Sequence, residues 1–273
     1  MEYIIFNLFR QQTNYNLELR NKNLETINIK LTSNQYKIGD FVDVTLINNK
    51  YIINEKLNTP TNYLDFYLHG KDSYEELVGK MSDYLEQIKD EDYRIILEEL
   101  IFKNDDFFIY PAAKTLHHAF IGGLARHTLD MLEMSIPFID KYDLNKDLMF
   151  TAIMLHDSGK TRELSDYGIT YSFEGNLLGH IMIAYEEISR ISYELGINQK
   201  NSIVILKHLI LSHHGRLDYG SPKEPMIKEA LVISVLDDMD AKLNHLNKAL
   251  KLIEPGESTA PLMAMDRKKF VKI

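Results

Sequence analysis

The sequence predicts a mainly α protein with a small β module at its N-terminus. One observation is a change of hydrophobic period, from two residues in the first part of the chain to that of helices from Ser73 onward. Another is that turn-forming residues break the first part into short runs, whereas the later apolar runs are long. At 273 residues, the chain has the length of about two ordinary domains.

The N-terminal part contains five short segments rich in β-branched and aromatic residues, and several of them alternate apolar with polar positions. These segments are Tyr3–Phe9, Asn16–Arg20, Thr26–Leu31, Phe41–Ile47 and Tyr51–Lys56. Asn48 and Asn49, between the last two, are typical of a tight hairpin. Five such strands fit a small barrel of the OB type, and they fit a meander packed on the larger domain equally well.

The sequence Asn-Thr-Pro-Thr-Asn at residues 58–62 marks a break, because proline among polar neighbours ends regular structure. We therefore predict a β module over residues 1–58, a linker over 59–72 and a helical domain over 73–273. Ser73 and Glu76 form a capping-box pattern at the start of the helical domain. Further helices are expected at about 92–103, 122–141, 145–158, 176–195, 199–213 and 225–253.

Composition excludes several classes of function. The chain has no cysteine, which excludes a disulfide scaffold, a thiolate zinc site, an iron–sulfur cluster and a cysteine nucleophile. The net charge of −9 argues against nonspecific duplex binding over the whole surface. There is no apolar run of membrane-spanning length and no signal-peptide pattern, so we expect a cytoplasmic protein that does not bind membranes.

Eight of the ten histidines lie between positions 117 and 214, mostly in or beside apolar helical segments. Any one of them alone is best explained as a surface or hydrogen-bonded core histidine. Burying imidazoles and carboxylates on several helices, however, costs roughly several kcal/mol unless a shared partner satisfies them. A metal cluster is the simplest such partner, and ligands without thiolate suit Mn²⁺, Fe²⁺, Co²⁺, Ni²⁺ or Zn²⁺.

His156 and Asp157 end an apolar helix and are followed directly by Ser158, Gly159 and Lys160. Neighbouring residues on a helix point about 100° apart, so His156 and Asp157 can serve different partners or Asp157 can bridge two ions. This pair therefore suggests a binuclear site.

The order His127, His156-Asp157, Asp237 resembles the HD superfamily of metal-dependent phosphohydrolases, an all-α fold built around those four ligands. Five longer segments are similar to the YhaM-type 3′-to-5′ exoribonucleases, and the similarity spans nearly all of residues 60–266. These segments are His117–Thr128, Leu155–Lys160, Glu174–Ile181, Ser212–Arg216 and Leu236–Lys242. Because that family pairs an OB-fold with an HD domain, the resemblance implies an HD-type phosphohydrolase domain behind a shortened OB-like module.

The resemblance also implies two divalent ions, with Mn²⁺ as the first candidate. The expected ligands are His127, His156, Asp157 and Asp237 for one ion, and Asp157, His180, His213 and His214 for the other. Asp157 and Lys160 are the expected catalytic residues, and Lys160 would neutralise the phosphate or protonate the leaving group. Arg216, in a loop between glycines, is the expected phosphate-binding residue, although a solvated loop arginine explains this position equally well. His117 and His118 are expected on the substrate side or behind the ligands.

The implied activity is 3′-to-5′ hydrolysis of single-stranded RNA by water that two metal ions activate. Two other classes stay open: a phosphohydrolase of nucleotides or other small phosphate esters, and a noncatalytic binding protein with the same fold. Cleavage of mononucleotides but not of oligoribonucleotides would favour the former. Homo-oligomerisation also stays open. All expected ligands follow residue 117, so we expect the helical domain to build the reaction centre by itself.

Overall fold

The computed structural model describes residues 1–114 and 118–273, and a five-stranded sheet precedes a helical region in it, as predicted. The strands are β1 (Glu2–Gln11), β2 (Asn14–Arg20), β3 (Thr26–Leu31), β4 (Phe41–Ile47) and β5 (Lys50–Leu57). The helices are α1 (Tyr74–Leu85), α2 (Glu91–Leu97), α3 (Asp106–Ile109), α4 (Gly123–Tyr142), α5 (Lys146–Leu155), α6 (Lys160–Glu163), α7 (Phe173–Glu194), α8 (Asn201–Ser212) and α9 (Lys228–Leu250). Within the described residues, none of these helices combines the length and apolar character needed to cross a bilayer.

The sheet has the strand order β3-β2-β1-β4-β5, and every neighbouring pair is antiparallel. A meander would place β3 beside β4, so this order excludes the meander. The outer strands β3 and β5 approach each other, as they do in a partly open barrel. Asn48 and Asn49 both have positive φ between β4 and β5, which a type I′ hairpin turn requires. The prediction of an OB-like module is confirmed.

The sheet packs on the helical region through residues 59–72. Phe66 is fully buried there, and Tyr67 is almost so. Both residues share one apolar cluster with Ile4 and Phe41 of the sheet and with Ile169 of the helical region. Ile169 belongs to a small hairpin, β6 (Leu164–Ser165) and β7 (Thr170–Tyr171), that connects α6 to α7. The sequence did not predict this hairpin, because two-residue strands carry no readable alternation.

Helix α5 forms the centre of the helical region. All eight residues from Leu148 to Leu155 are buried, since α2, α4, α8 and α9 pack around this helix. The apolar run thereby carries the next two residues, His156 and Asp157, into the interior of the domain. The long helices begin and end within a few residues of the predicted bounds. The one-turn helices α3 and α6 were not predicted because a single turn shows no period.

Candidate metal centre

Asp157 lies at the centre of the histidine cluster and is 2% exposed. Its Oδ2 atom is 3.2 Å from His156 Nε2 and 3.7 Å from His127 Nε2. Its Oδ1 atom is 3.4 Å from His180 Nε2 and 3.8 Å from His213 Nε2. The two oxygens of one carboxylate therefore face two different groups of residues. We name them the Oδ2 group, which comprises His127, His156 and Asp237, and the Oδ1 group, which comprises His180, His213 and His214.

Asp237 and His214 complete the two groups. Asp237 Oδ1 is 3.3 Å from His127 Nε2. The ring centroid of His214 is 4.4 Å from that of His213 and 5.2 Å from that of His180. All seven expected metal ligands therefore lie together, although they come from α4, the end of α5, α7, the end of α8 and α9.

The five imidazoles around Asp157 all have Nδ1 held by an outer partner, and those of His127, His156, His180 and His213 direct Nε2 toward Asp157. Such outer partners fix the tautomer and the ring plane of a metal-binding histidine. The Nδ1 atoms of His156, His213 and His214 donate to the carbonyls of Ile153 (2.7 Å), Ile210 (2.7 Å) and Tyr219 (2.8 Å), while those of His127 and His180 contact Asp240 Oδ2 (2.7 Å) and Glu163 Oε1 (3.1 Å). Four Nε2 atoms therefore lie within 3.8 Å of the Asp157 carboxylate.

Asp240 and Glu163 were not among the predicted site residues. Asp240 lies three residues after Asp237 on α9, so the two share a helix face, and this spacing was a signal that the sequence offered. Glu163 holds His180 twice, because its carboxylate also accepts the backbone N–H of that residue at 3.1 Å. Nothing local in the sequence indicates this role, since tertiary packing alone brings α7 to Glu163.

Two glycines allow α7 to reach the centre. A Cβ atom on Gly159 would lie 2.2 Å from the carbonyl oxygen of His180, so only glycine permits this approach directly after Asp157 and Ser158. Gly179 has φ +72° and ψ 157° inside α7, a conformation that side chains disfavour. The resulting break lets the chain turn at His180 and point its ring inward.

The three expected substrate-binding residues have different positions. His118 is buried and its Nε2 atom lies 2.9 Å from Asp240 Oδ2, so it supports Asp240 behind His127 instead of facing an open cleft. Arg216 is exposed, and its guanidinium carbon lies 5.7 Å from the ring centroid of Tyr219. His117 lies outside the described residues.

Lys160 Nζ lies 2.6 Å from Asp157 Oδ2. The same side chain lines a cleft of about 410 Å³ together with Asp237 and His214. Burial alone lowers the pKa of Lys160, but the carboxylate of Asp157 outweighs burial and raises this pKa above its usual value. A protonated amine thus stands where the ligand groups meet the open cleft.

The two groups differ in their protonation. Burial lowers the pKa of His127, but hydrogen bonds to Asp237 and Asp240 outweigh it and raise the pKa to about 10. Burial lowers the pKa of His213 well below the usual value, and that of His214 also falls, with burial again the main cause. At neutral pH, His127 is therefore doubly protonated and positively charged in the metal-free protein, whereas His213 and His214 are neutral.

The side chains fit divalent metal ions. Among the described residues, the buried Nε2 atoms of His180 and His213 have no hydrogen-bond partner. An unsatisfied buried polar atom costs about 1–3 kcal/mol, and a cation bound by the lone pairs removes this cost. The donor set consists of imidazole nitrogens and carboxylate oxygens, which first-row divalent ions accept. Divalent metal binding therefore accounts for an arrangement that packing alone leaves unsatisfied.

Comparison with known proteins places the centre in context. Residues 124–242 match the family model of the HD domain. Over 72% of its length, the chain is similar to the 3′-5′ exoribonucleases YhaM of Bacillus licheniformis (42% identical over 200 residues), Listeria monocytogenes (41% over 199) and Bacillus subtilis (40% over 200). The chain spans about 63% of the length of these curated relatives. No solved structure matches it significantly.

Proposed function

The chain carries an HD domain and is a relative of the YhaM exoribonucleases, and on this premise we propose that it is a metal-dependent phosphodiester hydrolase that degrades single-stranded RNA from its 3′ end. The observation that supports this proposal most directly is the central carboxylate of Asp157, which faces four Nε2 atoms, two from each oxygen. One carboxylate shared in this way is the ligand that a binuclear site needs.

In this proposal, the Oδ2 group together with Asp157 would hold one divalent ion, and the Oδ1 group together with Asp157 would hold the other. Mn²⁺ is the first candidate, and Fe²⁺, Co²⁺, Ni²⁺ and Zn²⁺ suit the same donors. When bound, such a pair of ions activates water as a nucleophile and neutralises the phosphoryl oxygens during in-line displacement. Asp240 and Glu163 hold the imidazoles of His127 and His180 in place for binding.

Lys160 is the proposed partner of the reacting phosphate. Its ammonium lies at the wall of the cleft beside Asp157 and is held protonated there. From this position, it can neutralise a phosphoryl oxygen or donate a proton to the leaving oxygen. Asp157 keeps the amine oriented at 2.6 Å until substrate enters.

We further propose the division into a β module (residues 1–58), a linker (59–72) and an HD-type domain (73–273). The module would contribute to substrate retention or to assembly rather than to the reaction, because all seven proposed ligands belong to the helical region. A cytoplasmic location and RNA as the substrate belong to the same proposal, whereas homo-oligomerisation stays open.

Digestion of single-stranded RNA tests this function. Full-length protein loaded with Mn²⁺ is incubated with one RNA labelled at its 5′ end and with the same RNA blocked at its 3′ hydroxyl. The proposal expects a ladder that shortens one nucleotide at a time, and it expects the 3′ block to suppress that ladder. Internal cleavage of the blocked RNA would contradict the direction.

The same preparation separates the alternative function. Nucleoside monophosphates and small phosphate esters are offered without RNA, and phosphate release is measured. If phosphate is released from these substrates while RNA stays intact, the protein is a nucleotide phosphohydrolase and not an exoribonuclease. The Asp157→Ala variant serves as the control for contaminating nucleases.

A further inference from the structure

The cleft at the metal centre extends beyond the proposed ligands along helix α9. Its wall includes Lys160, His214, Tyr219, Asp237, Lys242 and His245. His245 follows Asp237 by eight residues on α9, which corresponds to about 12 Å along the helix axis. The cleft is therefore long enough to hold part of a substrate next to the reacting phosphate.

Tyr219 is presented to this cleft by a turn that is tied to a proposed metal ligand. The Tyr219 carbonyl accepts the hydrogen bond from Nδ1 of His214 at 2.8 Å. The backbone N–H of Tyr219 donates to the carbonyl of Arg216 at 3.1 Å, and Gly220 closes the turn with φ +90°. The backbone position of Tyr219 is thus set relative to the metal centre, and the residue is 52% exposed.

An exposed tyrosine alone indicates no ligand, since exposed apolar surface is common. Tyr219 differs because it lines the cleft that contains Asp237 and Lys160, and because the Arg216 guanidinium carbon lies 5.7 Å from its ring centroid. An aromatic ring beside a guanidinium is the usual platform for stacking a base of single-stranded nucleic acid. The ring tolerates any base, as an enzyme that shortens RNA stepwise requires.

Lys242 and His245 place hydrogen-bond donors on the α9 wall of the same cleft. Lys242 pairs with Asp238 at 2.6 Å, and both side chains are about half exposed. A pair exposed to this degree contributes little to stability, so Lys242 is available to a phosphate. The carboxylate of Asp238 would repel an anion bound here, but its ion pair with Lys242 neutralises the charge of Asp238.

We propose that this part of the cleft is a nucleotide subsite, in which a base stacks on Tyr219 and the adjoining phosphate contacts Lys242 and His245. The inference rests on the proposed function for its biological meaning, because the subsite would hold the nucleotide next to the bond that is cleaved. The proposal states that this cleft binds a base and a phosphate, and binding measurements test this statement without any turnover.

Binding of adenosine 5′-monophosphate is compared with binding of ribose 5-phosphate, using metal-loaded full-length protein in a titration calorimeter. Both ligands carry the same phosphate, so the ratio of their Kd values reports the base alone. We expect adenosine 5′-monophosphate to bind about five- to 150-fold more tightly, the range that one stacked base contributes. Equal Kd values for the two ligands would overturn the proposal.

Substitutions locate the two contacts. Tyr219→Ala is expected to abolish the preference for the base and Tyr219→Phe to keep it. Tyr193→Ala serves as the matched control, since Tyr193 is 74% exposed on α7 and is not part of the cleft wall. Lys242→Ala is expected to weaken both ligands by the same factor, whereas Lys251→Ala, on the exposed end of α9, leaves both unchanged. A base preference that survives in Tyr219→Ala would contradict the proposal.

Kinetics on a short oligoribonucleotide distinguish this proposal from the proposed function. Tyr219→Ala should raise KM with little change in kcat, and the rise should vanish when the 3′-terminal nucleotide is abasic. If the wild-type protein cleaves no RNA but prefers the base in the titration, the proposed function fails and the subsite stands. If it cleaves RNA and Tyr219→Ala raises KM equally for both substrates, the subsite fails and the function stands.

Discussion

The two groups around Asp157 resemble each other in shape and differ in how they are satisfied without metal. The Oδ2 group has a second carboxylate, Asp237, and Asp240 contacts His127 from behind, so both ring nitrogens of His127 have a carboxylate partner. The Oδ1 group consists of three imidazoles, and His180 and His213 have Nε2 atoms without hydrogen-bond partners among the described residues. The Oδ2 group thus contains carboxylate–imidazole ion pairs, whereas two of the three imidazoles of the Oδ1 group have an Nε2 atom without a hydrogen bond among the described residues.

Because of this difference, we expect the two groups to bind a cation in different ways. A cation entering the Oδ2 group must displace the proton of His127, because the pKa of this residue is raised to about 10. A cation entering the Oδ1 group meets neutral His213 and His214, whose pKa values burial has lowered. We expect two binding steps with different pH dependence, and each prediction below tests whether the two groups are as distinct as their surroundings indicate.

Asp157→Ala should have the largest effect, because this residue belongs to both groups. Without the bridging carboxylate, two cations would repel each other with only neutral imidazoles and Asp237 nearby. We expect RNA hydrolysis to fall to background and the bound metal to drop well below two ions per chain, while the circular dichroism spectrum stays helical. Asp140→Ala, an exposed carboxylate on α4, is the control. Wild-type turnover in Asp157→Ala would remove the basis for a bridged pair.

The second-largest effect should be a difference between the two groups in how their metal affinity depends on pH. Below pH 10, His127 is protonated in the metal-free protein, so the affinity of the Oδ2 group should rise about tenfold per pH unit, or about a hundredfold from pH 6.5 to 8.5. The Oδ1 group should change little over this range because His213 and His214 are already neutral. Metal titrations at several pH values measure both steps, and identical slopes would contradict the comparison.

The raised pKa of His127 also determines how the stability of the metal-free protein changes with pH. A histidine whose pKa is raised on folding stabilises the protein fully below its unfolded pKa, about 6.5, and this stabilisation is lost as the pH rises through the folded pKa, about 10. Metal-free protein should therefore lose stability from pH 7 to 10, in the range where the Oδ2 group gains affinity for the cation.

Asp240→Asn and Glu163→Gln should each impair one group only. Asp240 holds His127 and Glu163 holds His180, and removal of such an outer partner typically lowers metal affinity about 10- to 100-fold. Calorimetric titration should show one weakened step in each variant, and the weakened step should differ between them. Asp140→Asn and Glu194→Gln, both exposed, are matched controls. Equal weakening of both steps in either variant would mean that the groups act as one unit.

The sequence predicted most of this centre because its residues end or interrupt apolar helices. His156 and Asp157 follow the buried run of α5, and His213 follows that of α8, so burial of these polar residues needed a shared partner. The resemblance then supplied the assignment of ligands to two ions. The structure brings together residues whose separation in sequence is large but whose helices share one core.

What the sequence did not provide is the support behind the ligands. Glu163 acts through a residue that lies 17 positions later and reaches it only after the chain has turned through the β6–β7 hairpin. The position of His118 behind His127 likewise depends on how α9 packs against α4, and sequence alone left it open between the substrate side and a place behind the ligands. Such contacts follow from tertiary packing, which no local pattern encodes.

The hairpin that precedes α7 links the Oδ1 group to the β module. Asp166 and Tyr167 have φ of 49° and 50°, a left-handed conformation that non-glycine residues rarely adopt. The hydroxyl of Tyr67 donates to the Asp166 carbonyl at 3.1 Å, and burial raises the pKa of Tyr67, which keeps that donor protonated. The Oδ2 group lies on α4, α5 and α9, away from this hairpin. A disturbance at the module could thus reach one group and not the other.

Tyr67→Phe should have the smallest effect, because it removes one hydrogen bond and keeps the ring in its apolar cluster. Such a loss costs about 0.5–1.5 kcal/mol, which lowers Tm by roughly 1–6 °C in a chain of this size. Hydrolysis and both metal-binding steps should stay within twofold of wild type, since Glu163 keeps its own contacts to His180. Tyr193→Phe, exposed on α7, is the control. Selective weakening of the Oδ1 step in Tyr67→Phe would instead show that the contact between the linker and the hairpin holds that group in place.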